Sequence, residues 1–253
     1  FTNFTWMVML GIVIGLKGDP LFWAKAMGFV CCLISMVGVA YFGSLFSRRR
    51  DPWNWIAVVP LAASAHFAHW GMMGLETQLQ VVLLVWTFAR FYKEMHDPRA
   101  WTISPVLAVL AAMTRIESLY YMTPLAAYAL VQVARGQLDW RRFFRWGLWC
   151  ALLFIPYFAW KYAYFGDLAP NTYYAKKVYW STHGRGIAHI AFWYLGQGAA
   201  NRNLWLIPLL MALLWARPVT LLIVGPLVLN AFYVYHVDGD WMPNLRFFQV
   251  AAP

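Results

Sequence analysis

Charge is what this sequence has least of. Of its 253 residues only 12% are charged, with 10 acids against 20 Lys and Arg, while 62% are hydrophobic. Soluble domains carry roughly 25% charged and about 45–50% apolar residues, so an ordinary water-soluble domain is excluded. Period-two alternation is missing too, which excludes a membrane barrel. The 3 cysteines, Cys31, Cys32 and Cys150, include no C-x-x-C pair and all fall in apolar runs; they read as buried thiols without a metal or redox role. An internal repeat of the kind that builds secondary transporters is also missing. The chain has no initiator methionine, signal peptide or leading charged flank, and it stops at "RFFQVAAP" as another apolar run begins. It is expected to be a piece of a longer protein.

What is present is apolar and continuous. Runs at 21–46, 146–165 and 203–235 meet or approach the ~20 residues that a spanning helix needs. Helices are the expected form, because each satisfies its own backbone groups in lipid. The formal charge of +10 does not indicate nucleic acid. Its carriers sit in short clusters between apolar runs: Arg48 to Arg50, Arg90 with Lys93, and Arg135, Arg141, Arg142 with Arg145. That is the layout of cytoplasmic loops under the positive-inside rule.

Placing Arg48 to Arg50 inside orients the rest by alternation. Helix 21–46 runs in, 53–70 out and 74–92 in. Segment 101–134 becomes a hairpin broken at "TRIES" (114–118), and 146–165 rises again. Residues 186–200 lie along the outer face, 203–216 descends and 219–235 rises. The expectation is an all-α, polytopic transmembrane bundle with an outward-facing cavity. It forms one domain over 1–253: an outer-face helix at 1–16, amphipathic or re-entrant, then about eight membrane helices over 17–253, with outer loops at 166–185 and 236–246. Acids outside the basic loops (Asp19, Glu76, Glu117, Asp167, Asp238, Asp240) then all fall at outward ends. Ionisable groups at membrane-embedded edges are costly and point to function.

Each candidate admits a plain and a sharper reading. Glu76 in "GMMGLETQL" either complements a helix dipole or lines the cavity. Arg115 and Glu117 are either structural ion-pair partners or, for the arginine fork, a ligand for phosphate or carboxylate. In "YFGDLAPNTYYAKK" (164–177), Lys176 and Lys177 either snorkel or meet a phosphate head group. Asn171, Tyr173 and Tyr174 beside them form an interfacial belt or a sugar-binding surface. "DGD" at 238–240 is a turn, or a carboxylate pair for a metal, sugar hydroxyls or base chemistry. "HFAH" at 66–69 has two histidines on one helix face with no third ligand at metal spacing, which favours packing over a metal site.

Taken together, "FTNFTW" at the start, "GLET" at 74–77, "RIE" at 115–117, "YFGDLAPNTYYAK" at 164–176 and "DGDWMPNLRF" at 238–247 resemble, in order, the motifs of a group of bacterial GT-C membrane glycosyltransferases. The group is similar to the mycobacterial arabinofuranosyltransferases that finish arabinan chains. Three positions depart from the pattern: Met73 for a small serine, Asp238 and Asn244 for glycines. The resemblance implies transfer of a sugar from a polyprenyl-phosphate donor to a glycan, lipid or protein acceptor, at the periplasmic side of the bacterial inner membrane. It implies donor-phosphate contacts from Lys176, Arg115 and Arg246. Sugar or acceptor contacts are implied for Glu76, Glu117, Asn171, Tyr173, Asp238 and Asp240. The family's catalytic aspartate lies upstream of the first motif, so the general base is expected before Phe1. Members differ in metal dependence, which leaves a divalent cation open as a cofactor, with no protein metal ligand assigned. The alternatives are a non-catalytic subunit with partners in a membrane complex, or a lipid or solute transporter.

Overall fold

The computed structural model describes residues 3–46, 55–56, 58–167 and 217–236. Every element among the described residues is a helix: α1 (Phe4–Gly15), α2 (Pro20–Ser44), α3 (Val58–Ala62), α4 (Ala65–Met72), α5 (Thr77–His96), α6 (Ser104–Thr114), α7 (Ser118–Ala134), α8 (Trp140–Phe165) and α9 (Thr220–His236). Two of them, α2 with 25 residues and α8 with 26, are long and apolar enough to cross a membrane, or three spans if the bent pair α4–α5 counts as one. At 1.5 Å per residue, α1 and α6 each cover only about 16–18 Å, short of the ~30 Å hydrocarbon core.

The helix starts follow local chemistry. Asp19 caps α2 by accepting from the Leu21 N–H at 2.9 Å, and Pro20 occupies the first helical position, where its missing N–H costs nothing. Asp139 caps α8 in the same way through the Arg141 N–H, also at 2.9 Å. The α8 helix therefore starts at Trp140, earlier than the expected 146, and takes Arg141, Arg142 and Arg145 into its first turns instead of leaving them in a loop. Gly166, in the left-handed region at φ 74°, ends α8 by donating to the Tyr162 carbonyl at 2.8 Å.

Two expectations change. The single helix expected over 53–70 is two short ones, because the buried Ser64 hydroxyl accepts from the Phe67 N–H at 3.2 Å and starts α4 anew. And α1 is a helix but not an amphipathic one: FTWMVMLGIVIG carries no charge, and Trp6 is its one buried residue.

Helix α5 is the centre, with most of its side chains buried against α2, α4, α6 and α7. Contacts at both ends settle how the helices run. At one end Ala24 of α2 lies beside Gly74, and Tyr233 of α9 meets Glu117 just before α7. At the other, Phe46 packs on Tyr92 and Trp146 of α8 donates to Ser104 of α6. That second end holds Arg90, Lys93, Arg99, Arg135, Arg141, Arg142 and Arg145, and we refer to it as the basic end. Large apolar side chains such as Leu152, Ile155 and Trp160 of α8 are exposed, as expected where lipid is the solvent.

Lipid tails offer helices no hydrophobic incentive to associate, so close packing through small residues carries much of the contact. A Cβ on Gly28 of α2 would stand 2.3 Å from the Gly71 carbonyl oxygen of α4, and one on Gly71 would stand 2.4 Å from Cys32 Sγ. Gly147 of α8 has nothing within 4 Å of its would-be Cβ. Gly28→Ala is therefore expected to lower the melting temperature in detergent, at a cost of about 1–3 kcal/mol from overpacking. Gly147→Ala should leave it unchanged or raise it by the helix-propensity gain of about 0.5–1 kcal/mol.

Candidate functional site

The segment joining α4 to α5 turns the chain through 118°. Gly74 makes the turn possible: its φ of 72° is in the left-handed region, and the would-be Cβ lies 3.1 Å from the Ala24 side chain. The turn sets Glu76 at the N-cap of α5, 8% exposed, yet its carboxylate makes no capping hydrogen bond. It accepts instead from Arg115 Nη1 at 3.1 Å, 39 residues further along the chain.

Arg115 is the C-cap of α6, in extended conformation and 9% exposed. Its Nε donates to Glu117 Oε1 at 2.6 Å, and Nη2 also pairs with that carboxylate. Glu117 is the N-cap of α7 and likewise makes no capping hydrogen bond. From α9, the Tyr233 hydroxyl donates to Glu117 at 3.4 Å. Just below, Gln80 Nε2 of α5 donates to Ser118 Oγ of α7 at 2.9 Å, with both residues buried.

The electrostatics are consistent. Carboxylates stand at the positive N-terminal ends of α5 and α7, and the guanidinium stands at the negative C-terminal end of α6. Each charge thus meets a helix dipole of opposite sign as well as its ion-pair partner. Two carboxylates and one guanidinium leave a formal charge of −1. Such a cluster can accept hydrogen bonds from hydroxyls and ammonium groups; it does not attract a phosphate.

The structure thus brings together Glu76, Arg115 and Glu117, and finds Arg115 in the ion-paired role. Tyr233 was not among the sequence candidates. It sits in an apolar helix with no charged neighbour, and no spacing signal singles it out. Lys176, Arg246, Asn171, Tyr173, Asp238 and Asp240 lie outside the described residues, as do the segments 186–200 and 203–216. No cluster of three or more metal-ligating side chains occurs among the described residues. His69 of the "HFAH" pair packs edge-on against Trp70, ring centroids 5.4 Å apart.

A second polar knot occupies the basic end. Glu94 accepts from the N–H groups of Ile103 and Ser104 at 2.9 and 3.1 Å, so it caps α6 from a neighbouring helix. Ser104 Oγ also donates to Glu94 and accepts from Trp146 Nε1 at 2.8 Å, and Arg90 lies 3.5 Å away. Here the carboxylate serves backbone donors, and the role is structural. No protein-family model, curated protein or solved structure matches the chain.

Arg115→Met would leave two buried carboxylates facing one another. Removing one partner of a buried pair costs about 3–5 kcal/mol, and unfolding in detergent should show a loss of that size. The triple variant Glu76→Gln, Arg115→Met, Glu117→Gln should recover most of it.

Proposed function

We propose that this chain is part of a membrane glycosyltransferase of the GT-C kind. It moves a sugar from a polyprenyl-phosphate donor to a cell-envelope acceptor at the outer face of the bacterial inner membrane. The observation that carries the reading is the convergence of "GLET" and "RIE" with the end of α9 in one buried charged cluster, at the end of the bundle opposite the basic residues. The positive-inside rule turns that end outward, where a lipid-borne sugar presents its head.

The geometry divides the labour. Glu76 and Glu117, held by Arg115, are acceptors for sugar or acceptor hydroxyls, with Arg115 the positioning residue between them. A net negative cluster is unsuited to the donor phosphate, so that task goes to Lys176 and Arg246 in the motifs that follow α8 and α9. Asn171, Tyr173, Asp238 and Asp240 complete the sugar contacts. Departure of a lipid phosphate needs cations to stabilise its charge, and deprotonation of the acceptor hydroxyl by a carboxylate contributes typically 10²–10⁴-fold.

The pairing within the cluster favours a second reading, a non-catalytic subunit in which it only staples helices together. An activity assay separates the two. In the intact protein, Lys176→Ala should lower sugar transfer from polyprenyl-phosphate sugars by about 10²-fold or more with an unchanged melting temperature. Wild-type transfer by that variant would reject the assignment of Lys176. Failure of the unaltered protein with every donor in a panel of polyprenyl-phosphate sugars would favour the subunit.

A further inference from the structure

The outer half of α8 presents exposed side chains on nearly every side. Lys161 is the exception, 6% exposed. It continues the inward stripe of Phe154, Tyr157 and Phe158, at the i, i+3, i+4, i+7 spacing of one helix face, where an apolar residue would ordinarily stand. None of the ion pairs or hydrogen bonds among the described residues involves it. A lysine that merely snorkels keeps its head in water; this one turns inward. A buried ammonium without a counter-charge is costly, and the lone ionisable side chain of a membrane helix marks a site.

Two independent contacts give its depth. Trp146 Nε1 donates to Ser104 Oγ at 2.8 Å, which registers α8 against α6 at the basic end. From there Lys161 is about 22 Å up α8 and Arg115 about 16 Å up α6. At the outer end, Thr5 Oγ1 donates to the Leu110 carbonyl of α6 at 3.3 Å, while its neighbour Phe4 packs on Tyr157 and Trp160 of α8, with ring centroids 5.2 and 5.4 Å apart. Leu110 and Tyr157 are therefore at one level, and Arg115 and Lys161 both lie a little over one turn beyond it.

We propose that Lys161 Nζ receives the phosphate of a lipid-borne ligand beside the Glu76–Arg115–Glu117 cluster. The chemistry is complementary: the cluster holds a net negative charge for hydroxyls, and the unpaired cation about one turn away in depth supplies what a phosphate needs. This rests on the glycosyltransferase reading only in taking a polyprenyl phosphate as the lipid.

The test uses the intact protein in detergent, with binding of polyprenyl monophosphate, neutral polyprenol and inorganic phosphate measured by native mass spectrometry and by thermal shift. Lys161→Met should weaken polyprenyl monophosphate binding by about tenfold or more, the worth of one charge-assisted hydrogen bond. Lys161→Arg should stay within about threefold of wild type, since the cation is kept. The ligand-free Lys161→Met protein should melt no lower than wild type, because no pairing is lost; a structural lysine would lower it. Wild-type binding by Lys161→Met overturns the proposal. So does equal binding of polyprenol, or of inorganic phosphate at the same concentration, which would make the ligand uncharged or soluble. Should Lys161→Met not fold, the role is structural and the proposal also falls, unless Lys161→Gln folds and shows the same loss of binding. Sugar transfer is scored separately. Binding that depends on Lys161 without any transfer would sink the enzyme reading alone, and transfer indifferent to Lys161→Met would sink the lysine assignment alone.

Discussion

A guanidinium held between two carboxylates, each from a different stretch of chain, is the constraint on which the outer end of the bundle depends. In lipid an unpaired ion is not tolerated, and apolar surfaces have no preference for one another over acyl chains. The pairing of Arg115 with Glu76 and Glu117 therefore fixes positions that apolar packing alone would leave loose. The start of α5, the break between α6 and α7, and the outer part of α9 must all reach one place. Gly74 allows it by turning the chain where no other residue would do so without strain.

The two polar knots differ in kind, and the difference is informative. Glu94 and Glu76 are some 27 Å apart along α5. Glu94 accepts from backbone N–H groups that α6 would otherwise leave unsatisfied, so its presence is explained by the fold. Glu76 and Glu117 stand at helix N-caps and decline the capping role in favour of a side chain. Charge gathered in lipid beyond what the backbone requires is the more economical sign of a site.

Some of this was legible in the sequence. "TRIES" interrupts an apolar stretch too long for one span, and ionisable residues there end a helix whatever their partners; α6 and α7 separate at that point. The asymmetry between basic and acidic ends was equally readable, since charge in an apolar chain has few places to go. The break at Ser64 was not. One serine among apolar residues is compatible with a continuous helix, and its capping role depends on a hydrogen bond that composition does not report. The early start of α8 was hidden for a related reason: Arg141, Arg142 and Arg145 suit a loop or a first helical turn equally well. Lys161 was visible as the one charge in the run 146–165, but only its burial distinguishes it from a lysine reaching for water.

By itself the sequence determined the solvent and the polarity of the chain: lipid around the helices, basic residues gathered at one end, and acids set apart at the other. Those follow from transfer free energies, which are additive along a sequence and need no partner. Only the tertiary structure decided that Arg115 closes on Glu76 and Glu117, that Tyr233 joins them, and that Lys161 turns inward unpaired. Such facts depend on which helices come within 3–4 Å of one another, and that is settled by turn geometry and close packing between segments far apart in the chain.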